Sequence, residues 1–565
     1  MKQLSAVDAG FIFNETPTAP QHIGGLGIYD PSTAPGGKVR FKQIMENTLK
    51  RKHLAPLMRQ RLAEVPFNAD FPYWINQESF DPEFHIRHIS LPEPGDWRQL
   101  CIQVARIYAR PLDRNKPLWE MYVIEGLDNV EGIPKGCYAV LTKVHHACID
   151  GTMSSDIGAA FADLEPVPDA SRVPPPGPWD IDKDPTDAEL LGMANFNNLT
   201  KPLRFLETLG ATAPKVQEAL AMLSEGKIKL PERAPRTRFN GTVSSSRVFE
   251  GVQFDLDTIK QIKNAAGGTV NDAMLAICSG AMRNYLLEKD ELPSQSLVSM
   301  CPINTRSAAV DPGHTETGND VSSMSVALRT DIADPKERML AICQETRSAK
   351  ELTAAIGAKT MLEYSQYMPT SLTSLGAKLA AEQGLANHMD PVFNTVTTNV
   401  PGPPIPLYSN GAHLVTSFGL GIAQDSCGLF HSISSYCGQA TIGVTSCREM
   451  MPDPAHYADL LRESLAELVA VFLAPQPTAQ KKTSKAKATP KKAKETVKKT
   501  KAPATKAKKK TVKSESETHS AKPAKTKKKA AKKTTKKKED QSSLFDNVNG
   551  VTQNEDSSPD NTELH

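Results

Sequence analysis

The alternation of apolar and polar positions changes character several times along the chain, and each change marks an element. Residues Cys137–Val144 (CYAVLTKV) are rich in β-formers and run into the polar pair His145-His146, after which Gly151–Leu164 places apolar side chains at helical spacing. That segment reads as strand, polar loop, helix. Farther on, Gly267-Gly268-Thr269 supplies a turn and an N-cap. Val270, Met274, Ile277, Cys278, Ala281, Met282 and Tyr285 then follow at three- and four-residue steps, as in a buried amphipathic helix. Strands are expected at Ser296–Arg306, Ser322–Thr330, Asn394–Val400 and Ala440–Cys447, and a closing helix at about 454–474.

Between these blocks the pattern fails in two places. Residues 165–185 (EPVPDASRVPPPGPWDIDKDP) are too rich in Pro and Asp to pack as a regular element, and residues 188–230 read as helix bridging two halves. The expected organisation is an N-terminal domain at 1–169, a linker with bridging helices at 170–235, a second domain at 236–474 and a tail at 475–565. Both domains mix strands and helices, so the fold class is mixed α/β (α+β). The tail has no apolar periodicity and uses little beyond Lys, Ala, Thr, Pro and Ser over 481–538, so it cannot bury enough surface to offset its chain entropy and is expected to be disordered.

Charge separates the same regions. Residues 1–480 hold 42 Lys and Arg against 54 Asp and Glu, residues 481–540 hold 25 Lys against 5 acids, and residues 541–565 hold 5 acids and no base. The overall +3 is therefore an acidic body nearly cancelled by a basic polymer. The first residues lack a basic stretch followed by an apolar core, so no signal peptide is expected. Apolar runs such as 466–474 (AELVAVFLA) fall well short of the roughly 20 residues that span a bilayer. Nine cysteines without a C-x-x-C pair suit a reduced compartment, and the ten-residue recurrence of Cys427, Cys437 and Cys447 reads as a coincidence of strand spacing. A cytoplasmic protein with at most peripheral membrane contact is the expectation.

The candidate chemistry centres on His145-His146-Ala147-Cys148-Ile149-Asp150-Gly151. A neutral imidazole at a strand end can take a proton from a hydroxyl and return it to a leaving group, since its ordinary pKa of about 6.5 lies near working pH. Asp150 can fix the loop, and Gly151 permits a backbone path or close approach that a Cβ would obstruct. A His-His pair alone is more often structural. A metal site is disfavoured, because adjacent histidines on a strand point to opposite faces and no H-E-x-x-H occurs. There is no G-x-S-x-G nucleophile elbow. A histidine without a covalent partner suits direct transfer, in which the substrate hydroxyl is itself the nucleophile.

These residues resemble the bacterial wax ester synthase/diacylglycerol acyltransferase family. His145–Gly151 matches its H-H-x-x-x-D-G motif in full. Leu4–Asp30 (LSAVDAGFIFNETPTAPQHIGGLGIYD) resembles its opening segment, and Arg110–Glu120 contains its P-L-W motif as Pro117, Leu118 and Trp119. Asn271-Asp272 stands where it has N-D, and Asn399–Pro403 matches its N-V-P-G-P segment. The likeness runs from about Leu4 to Leu473. It implies two chloramphenicol acetyltransferase-like domains with a central channel, and transfer of a fatty acyl group from acyl-CoA to a diacylglycerol, a long-chain fatty alcohol, or both. Acyl-CoA would be a substrate, with no cofactor and no metal.

By family position His146 is the general base, with His145, Asp150 and Gly151 supporting the loop. Pro117, Leu118, Trp119, Asn271, Asp272, Asn399, Pro401 and Gly402 would border the channel, with Asn271 a candidate oxyanion donor. Simpler roles stand beside these: Trp119 as a packed wall, Asp272 favouring its helix dipole, Pro401 to Pro403 as a rigid turn, and Arg306 as a partner of Asp150. The tail Lys481–Lys538 would hold the protein at an anionic membrane or lipid-droplet surface, each Lys contributing roughly 1 kcal/mol. Other polyanions would also attract it without sequence reading, as no aromatics interrupt the lysines. A non-catalytic lipid-body or polyanion-binding protein on a degenerate acyltransferase fold is the alternative.

Overall fold

The structure, a computed structural model, describes residues 1–149, 158, 161–167, 173–226, 232–304, 321–356, 376, 379 and 383–473. Its strands in chain order are β1 (Lys2–Gln3), β2 (His22–Asp30), β3 (Gln60–Ala63), β4 (Tyr73–Asn76), β5 (Ile86–Ser90), β6 (Trp119–Glu125), β7 (Tyr138–His145), β8 (Arg247–Asp255), β9 (Val298–Asn304), β10 (Val321–Ala327), β11 (Thr395–Pro401), β12 (Tyr408–Ser409), β13 (Ala412–Leu420), β14 (Leu429–Tyr436) and β15 (Gln439–Cys447). Two six-stranded sheets form the frame, ordered β12-β13-β2-β7-β6-β5 and β10-β9-β11-β14-β15-β8, with β1-β4-β3 as a small third sheet. Each large sheet is mixed: β5 runs parallel to β6, and β11 parallel to both β9 and β14.

One face of each large sheet is closed by helices. Behind the first, the helix Trp97–Tyr108 buries Leu100 and Val104 against Leu26 and Leu141. Behind the second, the helices Val270–Leu287 and Pro454–Phe472 bury Met274, Ile277, Tyr457 and Leu461 against Ile442 and Val444. The Val270 helix starts as its sequence demands: the Thr269 hydroxyl accepts the Asp272 N–H (3.3 Å) while Asp272 Oδ2 accepts the Thr269 N–H (2.7 Å), a reciprocal capping box. The residues expected to bridge form one long helix, Asp187–Ser224, also opened by a capping box, between Thr186 and Glu189.

The sheets do not divide where the chain does. The hairpin-like pair β12–β13 comes from the second half but joins the first sheet, with Gly419 paired to Gly25 and Phe418 to Leu26 of β2. This crossing brings the sheets into contact. Thr441 Oγ1 of β15 donates to the Ser417 carbonyl of β13 (2.8 Å), and a Cβ built on Gly443 would lie 2.0 Å from the Gly419 oxygen. Only glycine permits that approach.

All nine cysteines are free thiols. Cys437 and Gly438, both at positive φ, form the two-residue turn between β14 and β15, where Tyr436 pairs with Gln439. Cys427 precedes β14 and Cys447 ends β15, so the ten-residue recurrence is the length of a hairpin arm. The helix expected at Gly151–Leu164 lies largely, and the tail at 475–565 entirely, outside the described residues. Among the described residues no helix is long and apolar enough to cross a membrane.

Candidate active site

Strand alternation on β7 separates the two histidines. Ala139, Leu141, Lys143 and His145 are fully buried on the helix-covered face, whereas Val140, Thr142 and Val144, followed by His146, line a cavity of about 740 Å³ between the two large sheets. The adjacent imidazoles thus serve different surroundings.

His145 is fixed by backbone. Its N–H donates to the Leu118 carbonyl (2.9 Å), and its Nδ1 accepts the Ala147 N–H (3.1 Å), which leaves the ring proton on Nε2. Burial, aided by the nearby Arg114 charge, lowers its pKa to about 3, so it is neutral at working pH. Nε2 faces Glu15 Oε2 at 3.8 Å. That carboxylate does not draw a proton onto the ring, because Arg114 Nε already pairs with it at 2.9 Å.

His146 is held by the opening segment. Its N–H donates to the Gln21 carbonyl (2.8 Å), and its ring stacks on Phe11 with centroids 4.1 Å apart and planes 14° apart. Phe11 lies on the helix Ala6–Asn14, capped by Ser5, and Glu15 follows that helix directly. The segment therefore reaches both histidines: Phe11 on His146, Glu15 beside His145, and Gln21 on the peptide of His146. Its β2 continuation lines the cavity through Ile23, Gly25, Gly27 and Tyr29. None of Phe11, Glu15 and Gln21 was expected at the site from the sequence; the signal for them is an acid at position 15 and a basic residue at 114, inside the opening segment and the P-L-W stretch.

The other motif residues divide. Trp119 lines the cavity and is also packed, donating from Nε1 to the Met58 carbonyl (3.3 Å) and stacking on His85 at 4.6 Å. Asn399, Pro401, Gly402 and Pro403 line it from the second sheet. At Gly402 a Cβ would lie 2.1 Å from the Ser435 carbonyl oxygen, so the N-V-P-G-P turn needs glycine there. Asn399 Nδ2 donates to Asn271 Oδ1 (3.3 Å), joining two motifs 128 positions apart.

Four channel expectations need correction. Leu118 is fully buried, packed with Leu4 and Ile12 on the side opposite Trp119, and its carbonyl serves His145; Pro117 supports the same turn by accepting the Trp119 N–H (2.9 Å). Asp272 is buried at its helix start, where it also accepts from Thr346 Oγ1 (2.8 Å). Asn271 meets the cavity wall through Asn399 rather than as part of the described lining. Asp150, Gly151 and Arg306 lie outside the described residues. Among the described residues no group of three or more His, Cys, Asp or Glu could hold a metal ion.

What the arrangement offers is an imidazole in a largely apolar cavity, reached from both halves of the chain. The catalytic-domain signature of the wax ester synthase/diacylglycerol acyltransferase family matches residues 4–274, and its C-terminal-domain signature matches residues 317–469. Two Mycobacterium tuberculosis proteins named for diacylglycerol O-acyltransferase activity are each 32% identical to this chain, one over 83% of it and 90% of the relative, the other over 82% and 97%. Among solved structures, the wax ester synthase/diacylglycerol acyltransferase of Marinobacter aquaeolei VT8 is similar with a TM-score of 0.59 and 27% identity, covering 84% of this chain and all of that one. A starter condensation domain of rhizomide synthetase shares the fold at 14% identity and a TM-score of 0.51. On this evidence the chain belongs to the wax ester synthase/diacylglycerol acyltransferase family, and it is an acyltransferase.

Proposed function

We propose that this protein transfers a fatty acyl group from acyl-CoA to the free hydroxyl of a diacylglycerol, with His146 as general base. The observation that carries the reading is the position of His146, the motif histidine that faces the cavity while its neighbour is buried and neutral. His146 takes the hydroxyl proton as the oxygen attacks the thioester carbonyl carbon. A new C–O bond forms, the C–S bond breaks, and the proton passes to the departing sulfur, giving triacylglycerol and free CoA. The thioester carries the activation, so the transfer needs no resident cofactor. The names of the mycobacterial relatives favour diacylglycerol as acceptor. A long-chain alcohol is the second reading, favoured by the apolar cavity and by the wax ester activity in the name of the Marinobacter relative.

Purified protein given palmitoyl-CoA and a diacylglycerol should release thiol and form triacylglycerol, and His146→Ala should lower the rate by about 10²–10⁴-fold. Undiminished turnover by that variant would overturn the base assignment. A binding protein on a degenerate fold would instead give no turnover in the wild type. Competing hexadecanol against diacylglycerol and weighing the products distinguishes the acceptors.

The tail Lys481–Lys538 is proposed to hold the enzyme at an anionic phospholipid or lipid-body surface on the cytoplasmic side, through charge alone. Deleting residues 481–565 should abolish salt-sensitive flotation with anionic vesicles and leave turnover of dispersed substrate intact. Retained flotation would sink the tether.

A further inference from the structure

Along the first sheet the cavity has a length as well as a volume. Its β7 face steps away from His146 through Val144, Thr142 and Val140, and β2 sets Ile23, Gly25 and Gly27 opposite these in turn, then Tyr29 opposite Tyr138. At about 3.4 Å per residue, His146 and Tyr138 lie about 27 Å apart along the strand.

Two glycines on this strand differ in what they are for. At Gly24, on the helix-covered face, a Cβ would lie 2.6 Å from the Thr142 carbonyl oxygen, so packing forces glycine. At Gly25 a Cβ would meet only Thr142 Oγ1, at an ordinary 3.5 Å. Packing does not require glycine there, although glycine weakens a strand interior. What it preserves is open cavity floor. The open floor ends at Gly27, where a Cβ would lie 3.0 Å from Tyr29 Cε2 and 3.1 Å from Leu414 Cδ1, and the Tyr29 ring stacks on Tyr138 at 5.6 Å.

We propose that this arm of the cavity measures a long unbranched alkyl chain of one substrate, with Gly25 leaving room for the chain and Tyr29 acting as its end stop. The inference rests on the acyl-transfer reading and adds to it two specificity-determining positions. The chain is that of the acyl-CoA or that of the acceptor, which share this chemistry.

The test uses the full-length protein in two arms: acyl-CoAs from octanoyl to arachidoyl with one diacylglycerol, then diacylglycerols from dioctanoyl to dioleoyl with one acyl-CoA. Gly25→Leu should lower kcat/KM for the long chains by about tenfold or more while sparing the short ones, with Gly25→Ala intermediate, and Tyr29→Ala should move the optimum to longer chains. The arm that shifts identifies which substrate is measured. Gly25→Ala adds one methyl group where a Cβ meets only ordinary contact, and Tyr29→Ala opens space rather than filling it, so they keep the test intact if Gly25→Leu does not fold. Active variants with unchanged length profiles in both arms would overturn the ruler alone. A wild type without any transfer would overturn the acyl-transfer reading, and the ruler with it.

Discussion

Glu15 Oε2 lies 3.8 Å from His145 Nε2 and 2.9 Å from Arg114 Nε, while its Oε1 accepts the N–H of Gln21 (3.3 Å), the residue whose carbonyl holds the His146 peptide. One carboxylate therefore borders both histidines, through a ring on one side and through backbone on the other. Its geometry depends on Arg114, which also reaches Glu64 (3.3 Å) and the Ile12 carbonyl.

Arg114→Met should leave that carboxylate buried without its cation and loosen the peptide that positions His146. Misplacing a reacting group by about 1 Å can cost about 10²-fold, so kcat should fall by up to that factor while KM changes little, and Arg114→Lys should recover part of the loss. Steady-state kinetics beside a thermal melt would check this. A rise in KM at constant kcat, or no change in either, would show that Arg114 does not act on the site through His146.

His431 makes a prediction about pH. It is fully buried on β14, bonded to the Tyr457 hydroxyl (2.8 Å) and Thr395 Oγ1 (3.1 Å), and burial lowers its pKa to about 3. In the unfolded chain the value is about 6.5. Between pH 3 and 6.5 the unfolded chain binds a proton that the folded protein refuses, so this residue's contribution to stability is whole above about pH 6.5 and is lost as the pH falls. The slope is about 1.4 kcal/mol per pH unit for each such histidine, and His145 adds in the same direction. His431→Gln should be less stable than wild type at pH 7.5 but should lose less stability between pH 6 and pH 4, by about that slope. Urea unfolding at several pH values reads it, and parallel slopes for both proteins would refute it.

Local pattern made much of this molecule legible. The strand into His145, the capped helix after Thr269 and the closing helix from Pro454 are each written in a single stretch of sequence, and the parity of β7 already implied that His145 and His146 face apart. What stayed hidden depends on contacts across the chain. Nothing local to residues 412–420 says that β13 pairs with β2 nearly 400 positions earlier, and so nothing local says that Ser417, Phe418 and Gly419 line the same cavity as Gly25. Leu118 and Trp119 illustrate the same point at short range: adjacent in one motif, they part company because strand geometry sends one into the core and the other to the cavity.

The close approach of the sheets can be tested at Gly443. A Cβ there would sit 2.0 Å from the Gly419 oxygen, a backbone atom that cannot swing aside as a side chain could. Overpacking typically costs about 1–3 kcal/mol and sometimes more, so Gly443→Ala should lower the urea midpoint substantially and reduce turnover by prising apart the sheets that bound the cavity. Gly25→Ala, where space is open, should cost far less. Equal stabilities of the two variants would contradict the contact.

Lys143 links the core to the site. Its ammonium is fully buried and donates to the carbonyls of Arg110 (2.6 Å) and Ile107 (3.3 Å), so it caps the end of the helix Trp97–Tyr108, and it lies 3.5 Å from Glu120 Oε2. Burial lowers its pKa to about 8 against the opposing pull of Glu120. The same carboxylate accepts from the Tyr122 hydroxyl (2.9 Å) and faces Arg87 at 3.4 Å. Lys143→Met would leave the buried Glu120 carboxylate to Tyr122 and Arg87 alone and take a charged donor from the carbonyls of Arg110 and Ile107, and removing one partner of a buried pair typically costs up to about 3–5 kcal/mol. Removing the acid as well, in Lys143→Met/Glu120→Leu, should recover part of that cost, because the buried carboxylate that lost its nearest buried cation is then gone. The turn after Arg110 leads to Arg114, so the single variant should also lose activity beyond what its lower melting temperature explains. Guanidinium unfolding of both variants decides the point: a loss below about 1 kcal/mol for the single variant would mean that the cap and the ion pair contribute little to holding this end of the helix.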